Sequence, residues 1–202
     1  KTENQTNALR LVNSEADLIP SLIVDDYNGN LVIQTLSQST EKLKEIFLEI
    51  LREEFQPKSI IQRNDAKVRL LENLEQINSV LYGEVEDEII IEQDAIKFYV
   101  SLLEGQKTGS FLDQRENHSV SRKYAFGRAL DCFTFNGGFA LNLAKSCDQV
   151  LAIDISEEAV KQAKRNAELN GIPNVEFRTA NVFDALREFE KSGEKFDTIV
   201  LD

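Results

Sequence analysis

Three short stretches in this sequence that read as strands each end on a polar side chain that could hold a ligand. Asp131 leads into Cys132-Phe133-Thr134-Phe135-Asn136-Gly137-Gly138-Phe139, Asp154 follows Val150 to Ile153, and Asn181 follows Val175 to Ala180. In a doubly wound sheet, ligands bind at the carboxyl ends of the strands, and a glycine turn after the first strand lets a nucleotide-like molecule approach the backbone. A dinucleotide site would carry GxGxxG to cradle a pyrophosphate. Here two adjacent glycines, Gly137 and Gly138, stand beside an acid that repels phosphate and suits an amino group. A nucleoside joined to an amino acid, without phosphate, fits better than NAD. Asp154, with Ile155 next to it, is suited to accept bonds from both ribose hydroxyls, and Asn181, with Val182, falls where an adenine edge would be read. Each residue has an ordinary alternative: a glycine pair can simply open a helix, Asp154 can serve a helix cap, and Asn181 can shape a turn. Their recurrence at successive strand ends favours the ligand site.

These residues need a framework of alternating strands and helices, and the sequence from Arg128 onward supplies one. Ala129 to Phe133, Gln149 to Ile155, Val175 to Ala180 and Thr198 to Leu201 read as strands, and Phe139 to Cys147, Glu157 to Asn170 and Val182 to Lys191 as helices. Ser156 can cap the second helix with Glu157 and Glu158 in its first turn, while Gly171 and Pro173 end it. The βαβα alternation predicts an α/β, Rossmann-like doubly wound sheet, incomplete at four strands. The first hundred residues differ. Short β-rich runs at Leu9 to Val12, Leu22 to Val24 and Leu31 to Leu36 carry an Asn28-Gly29 hairpin signal. Leu43, Ile46, Phe47, Ile50 and Leu51 predict an amphipathic helix over Thr40 to Phe55. Ser59 to Gln62, Ser79 to Tyr82, Glu88 to Ile91 and Ile96 to Val100 read as further strands, several in hairpin succession. The expected organisation is a small α+β domain over 1–100, a connecting segment over 101–128 and the doubly wound domain over 129–202.

At 202 residues, 42% hydrophobic and 29% charged with nine Gly and three Pro, the chain has the composition of a globular protein with a sizeable core. No apolar run approaches the roughly 18 residues of a membrane span, and Lys1 to Asn7 lacks a signal-peptide core, so no membrane partner is expected. Two cysteines, Cys132 and Cys147, without CxxC spacing, predict neither a disulfide framework nor a metal site and fit a reducing cytoplasm. The net charge of −12 argues against coating nucleic acid by electrostatics alone. The charge is uneven: residues 1–100 carry 10 basic and 19 acidic side chains, whereas 101–128 carry 5 and 3. With no Met, a start at Lys1 and a stop on Asp202 directly after an apolar run, both ends read as cut.

The motifs as a set resemble the class I S-adenosylmethionine-dependent methyltransferases, specifically the 23S rRNA (cytosine-5)-methyltransferase family that carries a PUA domain. Asp131 to Phe139 is similar to that family's DCFxxxGGF cofactor loop, and Gln106-Lys107-Thr108-Gly109-Ser110-Phe111-Leu112-Asp113-Gln114-Arg115 to its more specific KTGxxLDQR segment. Arg10-Leu11-Val12 through Asp17, Pro20 and Val24-Asp25, and Arg63-Asn64-Asp65 with Val68-Arg69, extend the resemblance over nearly the whole chain. It departs at Ser21, where the family usually has Gly, and at Asn181, where an Asp often stands. The resemblance implies S-adenosylmethionine as cofactor, held by Lys107, Thr108, Phe111, Asp131, Phe133, Gly137, Asp154, Ile155, Asn181 and Val182. It implies rRNA as partner, with Arg122 and Lys123 toward its backbone, and leaves a homo-oligomer open. The PUA domain would precede Lys1.

In that family a thiolate adds to carbon 6 of cytosine so that carbon 5 can attack the methyl sulfonium, and a base then removes the carbon 5 proton. Asp202 resembles the first residue of the DPP-type motif that positions the base; the nucleophilic Cys lies on a later strand, so neither cysteine here matches it, and the piece alone is expected to be inactive. Cys132 and Cys147 are expected to pack as small hydrophobes. His118 could touch phosphate, with a solvated side chain the plainer expectation. The basic stretch from Lys107 to Arg128 is either a solvated helix face or part of the RNA and cofactor contacts. A methyltransferase of the same fold acting on another nucleobase or a small molecule, and a noncatalytic RNA-binding scaffold, are the alternative functions.

Overall fold

The computed structural model describes residues 6–104 and 108–202. They form two compact units, one of residues 6–93 with 100–104 and 108–112 and one of residues 94–99 with 113–202, so the segment expected as 101–128 divides at Leu112/Asp113.

In the first unit β1 (Ala8–Asn13), β2 (Leu22–Tyr27), β3 (Asn30–Thr35), β4 (Ser59–Asn64) and β5 (Ile77–Gly83) form one sheet in chain order. Asn28 and Gly29, at φ +57° and +85°, make the β2–β3 turn that the sequence signals. β3 and β4 are parallel, joined by the helical crossover of α1 (Gln38–Lys42) and α2 (Lys44–Phe55) that a parallel pair needs. The single helix expected over 40–55 breaks at Leu43 (φ −92°, ψ 1°), and of its apolar face Leu51 is buried while Leu43, Ile46 and Ile50 are exposed. Leu51 joins Leu22, Val24, Leu31, Ile33 and Ile60 in the core, each fully buried aliphatic contributing roughly 1.5–3 kcal/mol. Ser21 lies at φ +68°, the region glycine tolerates best, so a serine there carries a backbone cost. After β4 come a short α3 (Val68–Leu71) and, beyond β5, strand β6 (Ile89–Gln93); neither α3 nor a 3-10 turn at Ser14–Asp17 is legible in the sequence.

β7 (Ile96–Val100) spans the division between the units. In the second unit α4 (Arg115–Tyr124) precedes β8 (Arg128–Cys132), α5 (Gly138–Leu143), β9 (Gln149–Asp154), α6 (Glu157–Leu169), β10 (Val175–Thr179), α7 (Val182–Ser192) and β11 (Thr198–Leu201). The sheet is wholly parallel in the order β10-β9-β8-β11. The chain steps outward from β8 to β10, then returns to the other side of β8. That reversal is a topological switch point. Strand residues alternate between two cores, as a period of two requires: Ala129, Val150 and Ala152 with Ala140 and Leu143 on one face, Leu130, Cys132, Leu151 and Ile153 with Val182, Ala185 and Phe189 on the other. Ser156 caps α6 by accepting from Ala159 N, and Gly171 follows its end at φ +61°.

Candidate functional site

The loop after β8 is built around Asp131, which is fully buried. Its Oδ2 accepts from Thr134 Oγ1 at 2.6 Å and Ala140 N at 2.9 Å. Its Oδ1 is buried and has no partner among the described residues. Burial pushes the carboxyl up to about 7; the two hydrogen bonds oppose that rise, and the carboxylates of Asp202 and Asp154 add to it. A buried oxygen without a donor costs free energy, so a cationic or N–H-bearing partner would be welcome there.

From Asp131 the chain runs through Phe133 and Phe135 at φ +63° and +49° and Gly137 at +90°. Left-handed geometry at two bulky residues is costly and persists only where surroundings impose it. Thr134 N donates to Ile153 O at 2.9 Å, and Phe135 N to Asp154 Oδ2 at 2.8 Å. Asp154, at the end of β9, also accepts from Ser156 N through Oδ1 at 2.9 Å. Two backbone donors occupy two of the roughly four lone-pair sites of a carboxylate, which leaves acceptor capacity for hydroxyls.

Beyond these acids lies an apolar ledge. Ile155 is 68% exposed, Phe183 61% and Phe133 38%, and the two phenyl rings meet edge to face at 5.9 Å. Asn181 caps α7, its Oδ1 accepting from Phe183 N at 2.9 Å and Asp184 N at 3.3 Å. Val182, expected to line the cofactor, is instead in the core under the ledge with Leu130 and Ile153, so only its backbone can meet a ligand. Asp202 follows β11, whose Leu201 pairs with Cys132, and its Oδ1 accepts from Gln114 Nε2 at 2.9 Å. Asp131, Phe133, Gly137, Asp154, Ile155, Asn181 and Asp202 therefore gather at the strand ends of one unit.

Other expected residues are elsewhere. Lys107 lies outside the described residues. Thr108 is buried in the first unit, where it donates to Asp25 Oδ2 at 2.5 Å and shares a 2.8 Å hydrogen bond with Tyr27 Oη; Arg10 clamps Asp25 from the other side at 2.7 and 2.9 Å. Phe111, half-buried, belongs to the same unit. Arg122 donates to Asn142 Oδ1 at 2.6 Å and to the Asp94 carbonyl at 2.9 Å, so its guanidinium is spent inside the second unit, whereas Lys123 is exposed. The expectation of a solvated His118 is corrected: its ring packs edge to face on Phe139 at 4.5 Å, and burial pushes it down to about 4 against the pull of Asp202, Asp113 and Asp94. Cys132 is buried as expected, its thiol pushed up to about 11, first by burial and then by Asp131; Cys147 is buried and raised too. Among the described residues no group of His, Cys, Asp and Glu could hold a metal, and no helix is long and apolar enough to cross a membrane. Phe183 escaped sequence reasoning although it directly follows Val182, the signal being an aromatic in the first turn after a strand-end cap.

A parallel sheet with an acidic, glycine-bearing crevice at its switch point defines a Rossmann-like α/β ligand-binding domain. Residues 126–202 match a family described as methyltransferase domain. Over the whole chain the fold is that of a Streptococcus mutans protein described as a SAM-dependent methyltransferase, with a TM-score of 0.85 and 20% identity, covering 100% of this chain and 53% of that one. In sequence the chain is 41% identical over 204 residues to the ribosomal RNA large subunit methyltransferase I of Tolumonas auensis, covering 98% of this chain and 51% of the relative. It is 40% identical over 198 residues to the protein of that name from Aeromonas salmonicida, covering 96% and 50%. The chain thus spans about half the length of the curated relatives it matches.

Proposed function

We propose that this chain is the cofactor-binding part, with its preceding α+β unit, of an S-adenosylmethionine-dependent methyltransferase acting on carbon 5 of a cytosine in 23S rRNA. The observation that carries the cofactor reading is the unpartnered Oδ1 of buried Asp131 at the strand-end crevice, an acceptor suited to an ammonium group. The donor set fits: Asp131 would hold the amino group, Asp154 the ribose hydroxyls, and Ile155, Phe133 and Phe183 the adenine, with Gly137 leaving the backbone approachable. When bound, the cofactor supplies an electrophilic methyl group. The names of the relatives support ribosomal RNA as the substrate and, with it, a cytoplasmic setting.

On this reading the chain's own residues bind and orient. Asp202, steadied by Gln114, would face the target base, which must leave its stack to reach the crevice. Cys132 does not serve as the nucleophile, because a buried thiol with a raised pKa offers almost no thiolate; the attacking cysteine would come from the remainder of a longer protein. Lys123 would contact phosphate. Calorimetry and a methyl-transfer assay on unmodified 23S rRNA test the proposal with the full-length protein. S-adenosylmethionine should bind and NAD should not, and Cys132→Ser should leave transfer largely intact. Tighter binding of NAD, or loss of transfer in a folded Cys132→Ser protein, would overturn it.

A further inference from the structure

Asn166 and Asn170 lie one turn apart on α6 and both turn their amides toward the backbone of β7. Asn170 brackets one residue of β7: its Oδ1 accepts from Lys97 N at 2.8 Å and its Nδ2 donates to Lys97 O at 2.7 Å, as a neighbouring strand would, and also to the Asn166 carbonyl at 2.7 Å. Asn166 divides its amide. Its Oδ1 accepts from Tyr99 N at 3.0 Å, but its Nδ2 donates at 2.9 Å to the carbonyl of Asn136, in the middle of the loop between Asp131 and Gly138. The side chain is 0% exposed, so neither bond has water as a substitute. The loop it reaches is the one held in left-handed geometry at Phe133 and Phe135, and on the loop's other side Asp154 grips the Phe135 N–H.

We propose that Asn166 is a positioning residue for the cofactor loop: together with Asp154 it pins the loop from two sides, so that the Asp131 carboxylate and the Gly137 backbone stand ready before a ligand arrives. This rests on the cofactor site proposed above. Asn170 supplies the internal comparison, because its side chain makes two hydrogen bonds to β7 where that of Asn166 makes one, and none to the loop. In the full-length protein, Asn166→Leu and Asn170→Leu should both lower the melting temperature. Only Asn166→Leu should weaken S-adenosylmethionine, by about tenfold or more in Kd, with KM for the cofactor rising and kcat at saturation within about threefold of wild type. Asn166→Ala is read the same way should the leucine variant not fold. Cofactor affinity within about twofold of wild type in a folded Asn166 variant, or an equal loss in Asn170→Leu, overturns the assignment. A wild type that binds no S-adenosylmethionine sinks the cofactor reading instead. The tether is then judged by hydrogen exchange of the Phe135 to Gly137 amides in ligand-free protein, which should quicken in Asn166→Leu and stay at the wild-type rate in Asn170→Leu; equal rates in all three overturn it.

Discussion

Asp131 holds a proton in the folded protein that an unfolded chain would release. Its folded pKa near 7 lies above the usual carboxylate value of 3.8, so between those two values the native state binds more protons and stability falls as pH rises. Below about pH 4 the acid is neutral in both states and contributes nothing; above about 7 the full cost of burying the anion is felt. Asp131→Asn should therefore be more stable than wild type at pH 8, on the order of 1–3 kcal/mol, with the difference vanishing toward pH 4 in denaturant titrations. The same group should make cofactor binding release a proton. S-adenosylmethionine affinity should climb by up to about tenfold per pH unit below 7 and level off above it. Calorimetry in two buffers of different ionisation enthalpy measures the released proton, and identical enthalpies near pH 6 would rule the coupling out.

At the scale of elements, the two adjacent glycines that open α5 have different reasons. Gly137 has φ +90° and needs glycine for its backbone; a β-carbon there would have ordinary room. Gly138 needs glycine for space, since an added β-carbon would lie 2.5 Å from Cε1 and 2.6 Å from Nε2 of His118. Gly138→Ala is expected to cost about 1–3 kcal/mol by overpacking, and His118→Ala should recover most of that loss in the double variant. Additive melting shifts in that cycle would show that the ring is not the obstacle. The glycine pair is legible in the sequence as a turn, but His118 is not legible as its neighbour, because the contact joins α4 to α5 through packing that no local pattern encodes. Asp154 and Asn181 show the opposite case: both stand at strand ends, and both cap or clamp local backbone, which is the ordinary role the sequence also offers for them.

For the whole molecule, the second unit is legible because strand-like segments and capped helices alternate in the sequence itself. The first was readable only as a set of strands. Apolar alternation fixes which side of a strand is buried but not which strand it pairs with, so the helix between β3 and β4 is legible while their parallel pairing is not. The break in the helix at Leu43 was missed as well, since leucine is a good helix former and only the tertiary path explains it. Charge acts at this scale too. The net charge is −12, and Arg122, tied to Asn142 and Asp94, is withdrawn from the two cations expected to meet phosphate. Raising salt from 50 to 200 mM should weaken rRNA-fragment binding by these 202 residues by no more than about tenfold, against about a thousandfold or more for a protein making six or more phosphate contacts. A steeper salt slope in filter binding would mean that basic residues other than Lys123 carry the contact.

Asn136 followed by Gly137 is also a pair prone to chemical ageing. The backbone nitrogen of a glycine can attack the side-chain carbonyl carbon of the preceding asparagine, expelling ammonia and closing a succinimide ring that water opens to aspartate or isoaspartate. Attack needs that nitrogen unencumbered and the backbone able to swing. Here Gly137 N donates to Thr134 O at 2.9 Å, and the Asn136 carbonyl is held by Asn166. The contacts that hold the loop for a ligand should thus also lengthen the protein's shelf life. On storage at mildly alkaline pH, peptide mapping by mass spectrometry should find Asn136 intact in the wild type and deamidating faster in Asn166→Leu. Equal rates in the two proteins would mean that the tether offers no such protection.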